Sequence, residues 1–459
     1  MGFDSIFFLS CFLPLALAVY WLVPGVKTKN IVLLVLSLVF YAFGSISALA
    51  LLLAAWLGNY LFGLLLRRKI APKAVVTVGV GANLAYLFAF KYLQFVLGEV
   101  LGLPVGGLGL AAPLGMSFFL FKSIGFLVDV YRNPEAGTKD PIALLQYLSF
   151  FPQITAGPIS RFGQFSGQLT NRELSVQTAA LGLRRFLVGL AKKAVLCGSI
   201  AALVDGVFAE NALGDFRLAW LGALGYSLQI YLDFSGYSDM AIGLGQMLGF
   251  ATPENFRYPY IADSVGDFWR RWHISLSGWF KDYLYIPLGG NRRGKLRAGL
   301  NKAIVFTLCG LWHGANWTFL LWGLWHALFS ALESWGFSPK KLGRVWGHVY
   351  TMAVVCLGFV MFRAADVAQG LSVLGAMFTG FSFTAESAVL LHKLCNPETV
   401  VMLLIGTAAC LPIGPWLQSK SIWQKYGTPV SFVLSLLLFV LCVLNLAAGG
   451  FTPFIYAQF

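Results

Sequence analysis

The chain has 459 residues, 58% of them hydrophobic and only 11% charged, with a mean hydropathy of +0.74. A soluble globular domain carries roughly 25% charged residues, so a large water-soluble core is excluded and an all-α polytopic membrane protein is expected. The net charge of +14 is not a nucleic-acid footprint, because the basic residues fall in short loops between apolar runs, as the positive-inside rule describes.

One crossing needs about 20 apolar residues. In chain order the candidate spans are 6–23, 30–46, 48–66, 74–97, 113–131, 181–205, 217–250, 301–314, 317–336, 346–364, 398–416 and 428–447, about 11–12 transmembrane helices by this criterion. The first run has no positive n-region and no small-residue cleavage site, and reads as a retained helix. Basic clusters follow the first span (Lys27, Lys29), the third (Arg67, Arg68, Lys69, Lys73), the ninth (Lys340, Lys341, Arg344) and the eleventh (Lys420, Lys425). Another precedes the eighth (Arg292, Arg293, Lys295, Arg297). With the N-terminus outside, all of them face the cytoplasm, and the acid-containing stretches 206–216 and 365–397 lie outside. No soluble domain, long linker, low-complexity tract or internal repeat interrupts a single membrane domain over 1–459.

Two segments do not read as simple spans. LLQYLSFFPQITAGPISRF, 144–162, is apolar but broken by Pro152, Gly157 and Pro158. Proline breaks the helical ladder, so a re-entrant or interfacial course is expected, with its non-helical backbone covered by protein or lining a wet cavity. The segment 264–290 reads as an amphipathic interfacial helix. At about 100° per residue, Trp269, Trp272, Leu276, Trp279, Phe280, Tyr283 and Leu284 share one face with His273. Asp267, Arg270, Arg271, Lys281 and Asp282 take the other.

Polar groups at membrane depth are costly and mark function. There are five histidines, and LWHGANWTFLL sets His313 and Asn316 in an apolar run. Imidazole titrates near neutrality and suits a general base. A satisfied core histidine is the competing reading for His313. Asn316 either orients the ring or binds a substrate oxygen, or else it glues helices together. His326, thirteen residues on, falls on another face of a continuous helix and reads as packing. His348 and His392 read as loop-proximal. Asp233 and Asp239 in YLDFSGYSDM are expected to face a cavity or pair with bases such as Arg257, with a catalytic acid as the competing reading, and Lys122, Asp129 and Arg132 invite the same caution. The seven cysteines form no CxxC pair, and no metal site is expected. Cys309, four residues before His313, shares its helical face and reads as packing.

Six stretches in order carry a resemblance: PLGMSFFLFKSIGFLVDVYR, YLSFFPQITAGPISRF, YLDFSGYSDMAIGLG, ENFRYPY, FWRRWHISLSGWFKDYLYIPLGGNRRG and LCGLWHGANWTFLLWG. They resemble the membrane-bound O-acyltransferase family, in particular the subgroup that O-acetylates bacterial polysaccharides. The opening FDSIFFLSCFLPLALAVYWLVP and the closing FTPFIYAQF are similar to that subgroup as well. The resemblance implies a ring of helices around a thinned centre with a tunnel, His313 as the catalytic histidine and His273 as a second characteristic polar residue. It further implies a bacterial cytoplasmic-membrane location and acetyl-CoA as donor, with no tightly bound cofactor. A partner acetyltransferase would pass the acetyl group to a cell-envelope or exported glycan. Arg270, Arg271, Arg292 and Arg293 are then the expected holders of the donor phosphates, since guanidinium geometry suits phosphate. Asn316 or His273 would supply a hydrogen bond to the oxyanion. D-Alanyl transfer to teichoic acid from a carrier-protein thioester is the nearest alternative. A secondary transporter is remoter, since inverted repeats are not evident.

Overall fold

In the computed structural model, residues 1–104, 112–449 and 454–455 are described. Of the closing motif FTPFIYAQF only Phe454 and Ile455 lie among them. Every one of the twelve candidate spans falls on helix. The helices are Phe8–Leu22, Val26–Ala42, Ile46–Arg67, Pro72–Lys91, Met116–Arg132, Val176–Ala209, Phe216–Met247, Gly294–His313, Trp317–Trp335, Arg344–Arg363, Pro397–Ala409 and Ser421–Ala447. Among the described residues there is no strand, only one isolated bridge between Asp215 and Phe381. Among the described residues five helices are long and apolar enough to cross a membrane: Ile46–Arg67, Pro72–Lys91, Val176–Ala209, Arg344–Arg363 and Ser421–Ala447. The bent pair Ala385–Leu394 and Pro397–Ala409 makes a sixth if it is one span. Together with the family evidence below, these describe a multi-pass α-helical membrane protein.

The chain divides into two units, Met1–Phe186 with Ser238–Glu254, and Leu187–Tyr237 with Asn255–Phe459. In the first, Ile46–Arg67 and Pro72–Lys91 leave most of their apolar surface exposed, as lipid-facing helices do. They are joined by a reciprocal amide pair: Asn59 Nδ2 donates to Asn83 Oδ1 at 3.1 Å, and Asn83 Nδ2 to Asn59 Oδ1 at 2.8 Å. The broken segment 144–162 forms Pro141–Ser149, a break at Phe150, Phe151–Ile154 and irregular chain up to Phe162–Thr170. Residues 143–160 are all buried, so the non-helical backbone is covered by protein. Lys122, also buried, secures it by donating to Tyr147 O and Gln153 Oε1, both at 3.0 Å. Arg185 holds Asp239 at 2.9 Å and Glu254 at 2.6 Å.

The second unit differs from expectation in two places. The segment 264–290 is not one helix. Val265–Arg271 ends at Trp272, which is extended, and His273 takes a left-handed backbone with φ 43° before Ile274–Phe280 begins. The cause is Asn255. The Ile274 N–H, which a continuous helix would pair internally, donates to Asn255 O at 2.9 Å, and the Ser275 N–H donates to Asn255 Oδ1 at 3.2 Å. Arg257 N–H in turn takes the carbonyl of Arg271. The division of faces survives in part: Trp272, Leu276, Trp279 and Phe280 are buried and Arg270 and Lys281 exposed, while Trp269, Tyr283 and Leu284 are half-buried like Asp267, Arg271 and Asp282. Second, Asp233 pairs with Lys193 at 2.6 Å rather than with Arg257, both side chains being buried, and its other oxygen accepts from Ile455 N at 2.8 Å. Asp239, as noted, is held by Arg185. His348 and His392 lie near the ends of the helices Arg344–Arg363 and Ala385–Leu394, close to loops as read. His348 Nδ1 meets Ala262 O at 3.0 Å.

The stretches 206–216 and 365–397 come together. Arg363 pairs with Asp205 at 2.6 Å, Gln369 Nε2 donates to Phe208 O, and buried Asp215 accepts from Ser387 Oγ at 2.6 Å.

Candidate active site

His313 is the last residue of Gly294–His313, which forms a tight hairpin with Trp317–Trp335. Two glycines allow the close crossing. A Cβ on Gly310 would collide with the Phe319 carbonyl and lie 2.9 Å from Gly323 Cα, and one on Gly323 would lie 2.7 Å from Phe306 O. Gly314 turns the chain where any Cβ would strike the Phe319 ring. Asn316 caps the second helix: its Oδ1 accepts from Thr318 N at 3.1 Å, and its Nδ2 donates to Ala365 O at 3.0 Å. Both ends of the amide are thus engaged in holding the hairpin turn.

This construction drives His313 into an aromatic box. Its ring is 4% exposed. It lies 4.9 Å from Trp312, 5.0 Å from Trp322 and 5.1 Å from Phe362, all edge-on. Cys309 Sγ is 3.9 Å from Nε2, as the i, i+4 spacing expects. A histidine so enclosed has a fixed ring position and a water-poor surround, which strengthens every electrostatic interaction it makes.

His273 is also buried. Its ring meets Phe234 edge-on at 4.6 Å and stands 6.4 Å from Trp312, the indole that also packs on His313. Its tautomer follows from its partner. The Ser275 N–H can only donate, so the Asn255 atom it reaches is the carbonyl oxygen Oδ1. His273 Nδ1 lies 3.1 Å from that same oxygen. The neutral ring must therefore carry its hydrogen on Nδ1, which leaves the lone pair on Nε2. Ser275 Oγ donates a third bond to Oδ1 at 2.9 Å. Asn255 was not singled out from sequence; its only signal was its place in ENFRYPY.

The four arginines separate into two kinds. Arg270 and Arg271 both reach Asp267, at 3.3 and 2.8 Å, so part of their charge is answered. Arg292 and Arg293 are exposed and pair with no acid among the described residues. His326 is not a helical turn away on another face of one long helix. The break at 314–316 folds it back, so that Trp322 lies 5.0 Å from His313 on one side and 5.0 Å from His326 on the other.

Comparison with known proteins bears on the chain as a whole. The profile of the membrane-bound O-acyltransferase family matches residues 38–337. The probable alginate O-acetylase of Pseudomonas putida is 38% identical over 100% of both chains. The peptidoglycan O-acetyltransferase of Helicobacter pylori is 35% identical over 82% of this chain and 79% of its own. The teichoic acid D-alanyltransferase of Bacillus subtilis is 28% identical over 54% of this chain and 68% of its own.

Proposed function

The chain belongs to the membrane-bound O-acyltransferase family and is an O-acyltransferase, and from that premise we propose that it carries an acetyl group from acetyl-CoA to hydroxyls of a cell-envelope or exported polysaccharide. The observation that carries this reading is the enclosed His313, beside a second histidine whose tautomer is set. The full-length similarity to an alginate O-acetylase supports acetyl as the group and a glycan as the acceptor. The D-alanyltransferase likeness covers about half of this chain at lower identity, which favours the acetyl reading. The location that suits this work is the bacterial cytoplasmic membrane, with membrane lipids around the helices and a partner acetyltransferase receiving the group outside.

In the proposed mechanism the donor approaches from the cytoplasmic side, and its phosphates meet Arg292 and Arg293 first, because those guanidinium groups are committed to no carboxylate among the described residues. Arg270 and Arg271 add a weaker field. His313 takes the hydroxyl proton as the oxygen attacks the thioester carbon. The tetrahedral oxyanion collapses, the carbon–sulfur bond breaks, and the thiolate is protonated on leaving. His273, with its Nε2 lone pair, accepts a hydrogen bond and so steers the acceptor hydroxyl. As a neutral ring it does not donate from that atom. The second amide hydrogen of Asn316, beyond the one given to Ala365 O, or a protonated His273 is then the donor to the oxyanion.

The test is transfer from [14C]acetyl-CoA by purified protein in detergent, with and without a carrier-protein D-alanyl thioester as competitor. Acetyl transfer or acetyl-CoA hydrolysis is the expected result. Activity with the carrier thioester alone would favour the D-alanyl reading instead.

A further inference from the structure

Beyond His313, the helix Trp317–Trp335 carries Thr318, Trp322, His326 and Ser330 at successive i, i+4 positions. Each is buried, at 0, 1, 0 and 4% exposure. Their polar atoms have no hydrogen-bond partner among the described residues: Thr318 Oγ1, Trp322 Nε1, both nitrogens of His326, and Ser330 Oγ. Trp269 Nε1 is in the same condition, and its ring lies 5.1 Å from His326 and 5.8 Å from Trp322. Other polar groups on this helix are satisfied: Trp325 Nε1 donates to Val354 O at 2.8 Å, and Ser334 Oγ to Ser330 O at 2.9 Å. On this helix the unanswered donors and acceptors are therefore gathered along one row.

Buried polar groups are expensive when dry, and more so at membrane depth. Where several converge, internal water making two to four hydrogen bonds is the usual solution. The row has the needed mixture, with indole N–H donors, hydroxyls that both donate and accept, and an imidazole that does one at each nitrogen. It spans thirteen residues, a rise of about 18 Å over twelve steps. It starts beside the His313 box and leads toward the basic loop 337–345. Beside His326, a Cβ at Gly358 would lie 3.0 Å from Nε2, so a larger residue there would press on the imidazole.

We propose that a file of internal water runs along Thr318, Trp322, His326 and Ser330, and that His326 is the second proton-exchanging residue of the site. This rests on the reading of His313 as general base for an acyl thioester donor. The hydroxyl loses its proton to His313 as the new carbon–oxygen bond forms. The carbon–sulfur bond breaks, and the proton passes through the file and His326 to the released thiolate. The hydroxyl proton ends on the thiol, and both histidines return to their starting state. His326 thereby acts on the reaction through water, not by contact with substrate.

The test needs two readouts. The first is radiolytic hydroxyl labelling of the wild-type protein in detergent, which marks side chains in contact with bound water. Trp322 and Trp272 are equally buried, at 1 and 2%, and Trp272 packs among Tyr231, Tyr260 and Phe268. Trp322 should be labelled several-fold faster; equal rates would overturn the water file, whatever the activity proves to be. The second compares His326→Leu and His326→Gln, each checked by size exclusion. Leu should remove the Trp322 labelling and Gln should keep it. Both should lower kcat, on the order of 10²-fold for a lost proton-transfer group, with donor KM unchanged. A His326→Gln protein with wild-type kcat would overturn the proton-exchange role. If wild-type Trp322 is labelled but no acyl thioester is a substrate, the file stands and the functional reading fails.

Discussion

Asn255→Ala tests whether one side-chain oxygen organises the His273 region. Oδ1 accepts from His273 Nδ1, Ser275 N and Ser275 Oγ in a wholly buried setting. Alanine leaves these donors without their acceptor. The Ser275 hydroxyl can rotate to another partner, but the backbone N–H and the imidazole N–H cannot. An unsatisfied buried donor costs about 1–3 kcal/mol, so two give a loss of roughly 2–6 kcal/mol. Some of this returns if the break at Trp272–His273 relaxes, because the left-handed backbone of His273 is itself held only by its surroundings. The assay is thermal unfolding in detergent by a thiol-reactive dye, with acyl transfer measured on the folded fraction. A Tm several degrees lower is expected. Turnover should also fall, by less than the roughly 10²–10⁴-fold of a lost general base, because the ring survives but its tautomer is no longer set. Asn255→Asp keeps the acceptor and should recover part of the stability. An Asn255→Ala protein with unchanged Tm and unchanged kcat would refute the reasoning.

Three further outcomes follow from the geometry. Arg292→Ala with Arg293→Ala should raise the KM for acetyl-CoA with little change in kcat, whereas Arg270→Ala, already paired with Asp267, should do less; equal donor affinity in the folded double variant would leave these arginines as topology signals only. Gly310→Ala should disrupt the helical hairpin, since its Cβ would collide with backbone, and a folded variant with normal activity would contradict the close crossing. Asp215, held by the Arg217 guanidinium and by Ser387, has its carboxyl lowered from 3.8 to about 2. A depressed folded-state pKa gives stability that is full above the ordinary value and lost as pH falls through it toward about 2; Asp215→Asn should flatten the Tm decline in that window, and an identical pH profile would exclude the contribution.

Much of the helical framework was legible because apolar length is a strong signal in a bilayer: all twelve candidate spans fall on helix. The proline and glycine breaks in 144–162 were equally readable, since proline removes a donor wherever it stands. What periodicity missed has one cause, hydrogen bonding from distant residues. The pattern of 264–290 suits a helix throughout, and only Asn255, brought in from another segment, diverts the backbone at His273. The pairing of Asp233 with Lys193 likewise depends on which helices meet. Where His326 sits relative to His313 was not legible either, because the chain turns at Gly314 between the two helices. His313 itself was marked by its apolar surroundings, whereas the box of Trp312, Trp322 and Phe362 needed the hairpin and the neighbouring helix to be seen.

The most direct test of His313 as the general base is acyl transfer by His313→Ala and His313→Gln, normalised to folded protein by size-exclusion profile. Alanine opens a cavity among Trp312, Trp322 and Phe362, and glutamine fills it without an equivalent base. Both variants should therefore lose on the order of 10²–10⁴-fold in rate, with glutamine nearer wild type in thermal stability. Near-normal transfer by either folded variant would contradict the account.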